Sequence, residues 1–266
     1  MFKTENIFVK RKRNAFLLVF LLAALYLVFA DIVGLGLLDL GAGFAQSPMG
    51  FVWLFQNFIP TQESIAAIPL ILTTLWRTAM LAVAASFTAT ILALVLAVIG
   101  SKRMEIHPIL TYLVRLIAMF FRNIPLVAWA MILLFSFGQN EFTGYLALFF
   151  GTLGYSIRSF VEIVDEASQG TIEALKASGA TYFQIIFQGI IPMISSQAIS
   201  WLLFMIETNI REATLVGILT GTGIGFLFNF YFRGFRYHLA GMVVLFIVVS
   251  VLVLEVVSNK IRRMVM

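Results

Sequence analysis

The feature that most constrains the fold is a series of long apolar stretches with few charged residues. A helix needs about 20 mostly apolar residues to cross the hydrocarbon core of a bilayer. Six stretches approach that length. The sequence therefore predicts an all-α membrane protein with about six transmembrane helices, at 15–33, 78–99, 118–137, 145–164, 190–209 and 239–257.

Composition excludes a soluble domain. Hydrophobic residues make up 61% of the 266 residues and charged residues only 12%, whereas a soluble domain carries about 25% charged residues. A soluble chain this apolar could not cover its core with polar surface. Membrane lipid is therefore the expected surrounding of the helices.

Basic clusters set the expected topology. They lie at 10–13, 102–103 and 260–263, beside predicted spans, and no Lys or Arg occurs from Asn14 to Trp76. Cytoplasmic segments of membrane proteins carry an excess of Lys and Arg. The clusters therefore predict a multi-pass protein with a cytoplasmic N-terminus. A basic run beside an apolar span is a topology signal, so no nucleic-acid partner is expected.

Two regions are expected along the chain. Residues 1–72 hold the basic tail, the first span as an uncleaved anchor, and an external loop at 34–72. Residues 73–263 hold the remaining spans. Pro125 predicts a kink near the start of the third span, because proline interrupts helical hydrogen bonding. After the fifth span, 210–237 is expected to stay outside the membrane or to be partly re-entrant.

One polar segment lies between the apolar stretches, at 166–192. Thr171 is the expected N-cap of a short helix that ends at Gly179. A second short helix is expected over 181–189, before Pro192 begins the next span. From spacing alone, an ordinary amphipathic connector explains the segment as well as a protruding docking knob does.

The same segment resembles the cytoplasmic loop of ATP-binding cassette (ABC) importer permeases. The family pattern is Glu-Ala-Ala, three residues, Gly, nine residues, Ile, one residue, Leu-Pro. This chain matches its Glu, first Ala, Gly and Pro, and departs from it at Leu175, Gly189 and Ile191. In the family the loop is a coupling helix that docks in a groove of a separate ATPase subunit. The resemblance implies a coupling role for Glu173, Ala174, Leu175, Gly179 and Pro192.

ATP chemistry is expected to reside outside the chain. No G-x-x-x-x-G-K-[ST] motif occurs, so the chain lacks the glycine-rich loop that cradles ATP phosphates. The glycines at 221–225 follow no predicted strand, as a dinucleotide site would require, and are expected to let helices pack closely or the backbone bend. The chain has no cysteine and no H-E-x-x-H spacing. We therefore expect no metal, cofactor or enzyme activity in this chain.

A second resemblance covers 199–225 and points to the permease subunits of phosphonate importers. Its elements are Ile199-Ser200-Trp201, Glu207 four residues before Arg211, Ala213-Thr214, Gly217 and Gly223-Ile224-Gly225. The family's usual Gly-Ala-Gly-Gly-Ile-Gly is Thr220-Gly221-Thr222-Gly223-Ile224-Gly225 here. With the loop, the resemblance runs from about 76 to 263.

This second resemblance implies both an architecture and a cargo. The architecture is a type I ABC importer permease fold, present as a homodimer in the bacterial inner membrane. Its expected partners are two ATP-binding subunits, which hold ATP and magnesium, and an external substrate-binding protein. The cargo is a phosphonate, phosphite, hypophosphite or another small oxyanion.

Polar residues and glycines of this segment are candidates for the translocation path. Glu207 and Arg211 share one helix face and can pair. Ionisable residues at membrane depth usually face a bundle interior or an aqueous cavity, and a guanidinium suits phosphonate oxygens. The alternative is a structural pair that locks the fifth span without touching substrate. The candidates are Arg211, Glu207, Thr208, Asn209, Gly223 and Gly225.

Three further arginines lie in or near predicted spans. Arg77 and Arg158 are expected to pair with carboxylates, since an unpaired charge is costly there. Arg122 lies just before the Asn123-Ile124-Pro125 bend and is expected to be structural.

Two rival functions stay open. One keeps the importer and changes the cargo to methionine, glycine betaine or an amino acid. The other is a channel or a membrane-embedded enzyme, and an enzyme would need convergent catalytic groups.

Overall fold

The computed structural model describes residues 5–32, 40–167 and 170–265, which form helices and no strand. The all-α prediction is confirmed. Parts of three predictions lie outside the described residues: the end of the first span at 33, the start of the external loop at 34–39, and 168–169 of the polar segment. The helices are α1 (Glu5–Ile32), α2 (Leu40–Phe58), α3 (Gln62–Ala66), α4 (Ile68–Gly100), α5 (Pro108–Asn123), α6 (Leu126–Phe137), α7 (Glu141–Ala167), α8 (Thr171–Ala177), α9 (Tyr182–Gln184), α10 (Ile191–Thr220), α11 (Gly223–Arg233) and α12 (Tyr237–Val265).

The chain divides into two compact units, Met1–Gln56 and Asn57–Met266. The first unit contains α1, whose stretch Lys12–Phe29 is long and apolar enough to cross a membrane. The second unit contains α3 to α12. The division lies closer to the N-terminus than the expected boundary at 72–73.

The number of possible spans agrees with the predicted six. Within the described residues, five helical segments are long and apolar enough to cross a membrane, and α5 with α6 makes a sixth if the bent pair is one span. The two helices of that pair meet at 91°. Ile124, directly before Pro125, has an extended backbone, as steric crowding by a following proline requires. The predicted kink is therefore confirmed, and it is a sharp turn.

The predicted external loop at 34–72 is largely helical where the structure describes it, and its position outside the membrane stays a prediction. Residues 40–66 contain α2 and α3, and α4 begins at Ile68. Thr61 and Ser64 start α3 by a reciprocal cap: the Ser64 N–H donates to Thr61 Oγ1 at 3.3 Å, and the Thr61 N–H donates to Ser64 Oγ at 2.8 Å. Such a local cap satisfies backbone donors at the start of a helix. In the sequence this indication of a helix is outweighed by the many glycines and aromatic residues of the stretch, which favoured a loop.

The fifth predicted span, 190–209, is too short. Helix α10 continues to Thr220 and ends at Gly221, which has a φ of 68°. The prediction stopped where charged residues begin, but Glu207 and Arg211 pair within the helix at 3.3 Å. Glutamate and arginine are both favourable in helix interiors, so the helix continues past them. The stretch 210–237, expected to lie outside the membrane or to be partly re-entrant, consists of the end of α10 followed by α11.

A stripe of alanines lets the central helices approach closely. Helix α4 packs along α7 and also contacts α10. Small side chains at a helix interface bring the backbones together, which favours association inside a membrane. The fully buried members of the stripe are Ala82, Ala85, Ala89, Ala93 and Ala97.

Candidate functional site

The polar segment folds into a short helix that ends at Gly179. Gly179 has a φ of 81°, and its N–H donates to the Lys176 carbonyl at 3.0 Å. The N–H of Ala180 donates to the Leu175 carbonyl, also at 3.0 Å. These two bonds form a Schellman motif, which satisfies the last carbonyls of α8. The predicted helix end at Gly179 is confirmed.

The start of this segment and the start of the next span differ from the prediction. Gly170 is the N-cap of α8, with a φ of 92°, and Thr171 is the first helical residue. Glycine adopts this backbone conformation at little cost, so the chain turns into the helix one residue before the predicted cap. The expected break between 181–189 and Pro192 is also wrong, because the helical path is continuous from Tyr182 to Thr220.

A π-helical turn, Ile185–Ile190, takes the place of that break. Pro192 has no N–H to donate, and its ring crowds the carbonyl four residues earlier. The N–H of Ile191 bonds the carbonyl of Ile186, five residues back. The wider turn therefore carries the helix up to the proline without interrupting it.

One face of α8 is anchored to the helix bundle. Ile172 is buried in a cluster with Met104, Val164 and Ile190. Met104 follows the basic pair at 102–103, so the loop lies at the same end of the bundle as that pair. This is the end that the basic clusters predict to be cytoplasmic.

A second anchor joins Leu175 to Gly189. A Cβ atom on Gly189 would lie 2.6 Å from Leu175 Cδ1, so Leu175 occupies the space that a side chain at 189 would need. These are two of the positions at which the chain departs from the family pattern. The larger residue at 175 therefore accompanies the missing side chain at 189.

The opposite face of α8 is exposed in the part of the chain that the structure describes. Glu173, Ala174 and Gly179 are exposed. Phe183 and Phe187, in the helical path that follows, are 69% and 64% exposed. The segment thus presents a small-residue knob with one acidic side chain, beside two aromatic rings.

Glu207 lies near the middle of α10, between two guanidinium groups. Its Oε1 is 3.3 Å from Arg211 Nη2, and its Oε2 is 3.6 Å from Arg262 Nη2. The Glu207 side chain is only 13% exposed, whereas that of Arg211 is 49% exposed. The pair expected from sequence spacing is therefore present, and Arg262 of α12 joins it.

Asn209 faces the protein core. It is buried, and its amide donates to Ser86 Oγ at 2.8 Å and to Thr152 Oγ1 at 2.7 Å. Ser86 Oγ in turn donates to the Ala82 carbonyl at 2.7 Å. The side chain therefore ties α10 to α4 and α7, and a role for Asn209 on the path stays a prediction. The neighbouring Thr208 has a buried hydroxyl without a hydrogen-bond partner among the described residues.

The candidate glycines allow α11 to pack against α4 and α10. Gly223 has a φ of 66°, and a Cβ there would lie 2.6 Å from Thr78 Oγ1. A Cβ on Gly225 would collide with the carbonyl oxygen of Thr214. The N–H of Ile224, between them, donates to Thr78 Oγ1 at 2.9 Å. Gly225 is required by close backbone packing, and Gly223 by its positive φ and the adjacent Thr78 side chain. Close packing is as expected for this run, and a role on the path stays a prediction.

Arg77, Arg122 and Arg158, the three arginines predicted in or near spans, differ in their partners. Arg158 pairs with Glu162 at 2.8 Å, as expected. For Arg77 the expected ion pair is absent in the described part of the chain: it lines a cavity together with Glu141 without contacting it. Arg122 likewise has neither an ion pair nor a hydrogen-bond partner among the described side chains.

The described residues contain no group of three or more His, Cys, Asp or Glu side chains that could hold a metal ion.

The described helices form a bundle of membrane-length segments, with the polar cluster around Glu207 within it and the exposed face of α8 at one end. These features are those of a multi-pass membrane protein. A family model described as "Binding-protein-dependent transport system inner membrane component" matches residues 89–265, which is more than half of the chain. The chain belongs to this family and is a membrane component of an ABC transporter.

Curated relatives carry permease names, and a solved transporter shares the fold. The chain is 25% identical over 211 residues to the phosphate-import permease protein PhnE of Mycolicibacterium smegmatis, covering 79% of this chain and 40% of that protein. It is 24% identical over 186 residues to the phosphite transport system permease protein PtxC of Stutzerimonas stutzeri, covering 70% and 68%. An inward-facing MetNI methionine ABC transporter has a TM-score of 0.67 at 18% identity, covering 77% of this chain and 99% of that chain. The last likeness shows the fold alone. The chain thus spans less than half the length of the mycobacterial relative.

Proposed function

We propose that two copies of this chain form the transmembrane part of an ATP-driven importer for phosphonate, phosphite or a related small oxyanion. The names of the sequence relatives, which include phosphate-import and phosphite permeases, support this class of cargo. Its membrane would be the bacterial cytoplasmic membrane, with the N-terminus in the cytoplasm.

The observation that carries the proposal is the two-sided structure of α8. Ile172 and Leu175 hold one face on the bundle, while Glu173, Ala174 and Gly179 lie exposed on the other. An amphipathic connector would also expose one face, so the docking role is favoured because this exposed face carries the residues that match the importer loop, Glu173, Ala174 and Gly179. A helix that transmits movement needs one face for a partner and one face fixed to the helices that it moves.

The proposed partners follow from the two faces of α8 and from the absence of an ATP-binding motif in the sequence. Each of two ATPase subunits, which bind ATP and magnesium, receives one α8 knob in a groove. An external substrate-binding protein delivers the oxyanion to the opposite end of the bundle. No cofactor is assigned to this chain, and no nucleic-acid partner is proposed.

Force would pass from α8 to α10 through a continuous helical path. Pro192 and the preceding π turn lie within that path, so a displacement of the knob reaches Glu207 and Arg211 without crossing a loop. When the ATPase subunits close, the knobs approach each other and the spans open outward. When the ATPase subunits separate after hydrolysis, the spans open inward and release the anion.

The polar cluster on α10 is the proposed point of contact with the moving anion. Arg211 is half exposed although it lies in a membrane-length helix, and such residues normally face an aqueous cavity or another protein surface. Glu207 compensates part of its charge, so Arg211 attracts an oxyanion without holding it tightly. A weak site suits a passage whose substrate must also leave.

Uptake into vesicles tests the proposed cargo. The full complex, reconstituted with its binding protein, should accumulate radiolabelled methylphosphonate or phosphite only when ATP is enclosed on the ATPase side. Methionine, glycine betaine or amino-acid uptake would assign the alternative cargo. Flux of the oxyanion without ATP would identify a channel and contradict the importer.

A further inference from the structure

A charged cavity of about 310 Å³ lies between α5 and α7. Arg115 and Arg122 line it from α5, and Arg158, Glu162 and Asp165 line it from α7. On each helix the charged residues are spaced by three, four or seven positions, which places them on one helix face. The cavity is therefore a groove between two facing charged surfaces, with room for roughly ten water molecules at about 30 Å³ each.

Both carboxylates of the groove already pair with arginines. Asp165 is 3.0 Å from Arg115, and it also accepts hydrogen bonds from Ser101 Oγ at 2.5 Å and from the Lys102 N–H at 3.0 Å. Glu162 is 2.8 Å from Arg158. With three guanidinium groups and two carboxylates lining it, the groove keeps one positive charge in excess.

Arg122 carries that excess charge. It is half-buried and has no acceptor among the described residues. Its backbone is closely packed, because a Cβ atom on Gly154 of α7 would collide with the Arg122 backbone nitrogen, and the 91° turn into α6 follows directly. Helices α5 and α6 reach membrane length only as a bent pair, and an unpaired guanidinium inside a membrane-spanning segment is costly unless it meets water or an anion.

The groove lies in the half of the bundle that carries α8. Gly154, beside Arg122, is near the middle of α7, and Asp165, at the far end of the groove, contacts Ser101 and Lys102. In the proposed topology this is the cytoplasmic half. An oxyanion leaving toward the cytoplasm and the phosphate of an inner-leaflet phospholipid both reach this level.

We propose that this groove binds one phosphoryl or phosphonyl oxyanion through Arg122, with Arg115 and Arg158 on its walls. The planar fork of a guanidinium pairs with two such oxygens at once. The anion is either the transported oxyanion, a reading that rests on the proposed function, or a phospholipid headgroup, which does not depend on it.

The test uses the complete complex of permease and ATPase subunits, without ATP and without the binding protein. Binding of radiolabelled inorganic phosphate and methylphosphonate is measured for the unaltered chain and for Arg122→Gln, Arg122→Lys and Arg233→Gln. Arg233 is a matched control, since it is exposed and bonded to Asn229 at 3.0 Å, outside the groove. In parallel, complexes taken from phosphatidylglycerol vesicles are examined by native mass spectrometry for retained lipid.

For a transported oxyanion, Arg122→Gln should weaken phosphate or methylphosphonate binding about tenfold or more, with Arg122→Lys intermediate and Arg233→Gln unchanged. For a lipid headgroup, free oxyanions should not bind, and retained phosphatidylglycerol should be lost in Arg122→Gln alone. If Arg122→Gln does not assemble, Arg158→Gln leaves Glu162 without its cation and makes the groove neutral, so it should weaken the same binding.

Equal oxyanion binding and equal lipid retention in all assembled variants would overturn the site. Uptake with binding protein and ATP is measured separately. If uptake is normal and binding is unchanged in the variants, the importer function is supported and the groove site is contradicted. If Arg122→Gln loses the lipid but the unaltered complex takes up no oxyanion, the groove site is supported and the importer function is contradicted.

Discussion

Leu175 fills the space above Gly189, with its Cδ1 atom 2.6 Å from where a Cβ on the glycine would lie. The contact joins the proposed coupling helix to the π turn at the start of the long helical path. Positions 175 and 189 each depart from the importer pattern, which has alanine and isoleucine there. The two departures compensate each other, because the larger side chain at 175 fills the space that a side chain at 189 would occupy.

The first prediction exchanges these two side chains. Gly189→Ile should destabilise the loop by about 1–3 kcal/mol, the usual cost of overpacking, and lower the coupling of ATP hydrolysis to uptake. Leu175→Ala in the same chain should recover part of both losses, because it frees the space. Uptake and thermal unfolding of the two single variants and the double variant measure this coupling. Strictly additive losses would contradict the contact.

Gly179 gives a second prediction, which depends on its φ of 81°. Gly179→Val should cost about 1–2 kcal/mol in the left-handed conformation and detach the loop from the ATPase subunits. Gly179→Asn should retain most of the activity, since asparagine tolerates this conformation. Co-purification of the ATPase subunits and uptake would be compared for the two variants. Equal behaviour of Val and Asn would show that the conformation is unimportant.

Asn209 is predicted to stabilise the bundle. Asn209→Ala removes the two amide bonds to Ser86 and Thr152, and the loss of buried hydrogen bonds should cost about 1–3 kcal/mol. Thr208→Val is the matched control, because it replaces a buried hydroxyl that has no partner among the described residues. Thermal unfolding in detergent should show a lower midpoint for Asn209→Ala and no loss for Thr208→Val. The reverse order would refute the assignment.

Glu207 should matter more for stability than either of its partners. Glu207→Gln leaves Arg211 and Arg262 without their shared carboxylate, so it should lower the unfolding midpoint more than Arg211→Gln does. Adding Arg262→Gln to Glu207→Gln should restore part of the loss, because one of the two uncompensated cations is removed. An Arg211→Gln variant that is as unstable as Glu207→Gln would argue against a shared carboxylate.

Arg211 is predicted to act on transport rather than on folding. Its side chain is 49% exposed, so Arg211→Ala should lower oxyanion uptake while the ATPase subunits still co-purify and the unfolding midpoint changes little. Measuring uptake against substrate concentration separates weaker attraction of the anion from slower turnover. Unchanged uptake would leave Glu207–Arg211 as a structural pair.

The sequence predicted features that depend on local chemistry. The apolar stretches located the long helices, Pro125 located the sharp bend, and Gly179 located the end of α8. In each case a single residue type or a short window carries the physical cause: burial in lipid, a missing N–H, or a positive φ.

Features that depend on distant contacts were missed. Arg262 was interpreted as part of a basic cluster that sets topology, and nothing in its neighbourhood indicates that it reaches Glu207. The hydropathy of the sequence ended the predicted fifth span near residue 209, because hydropathy counts Glu207 and Arg211 as two separate charges and takes no account of their pairing. For Asn209, spacing along α10 does not reveal that Ser86 and Thr152 accept its amide hydrogens.

The measurement that tests the central claim most directly is ATP hydrolysis by the reconstituted complex, with and without loaded binding protein. Binding protein carrying methylphosphonate or phosphite should stimulate hydrolysis, and methionine-loaded protein should not. Gly179→Val should abolish this stimulation while the chain remains inserted in the membrane. Stimulation that persists in Gly179→Val would contradict coupling through α8, and the absence of any hydrolysis or co-purified ATPase would contradict the importer itself.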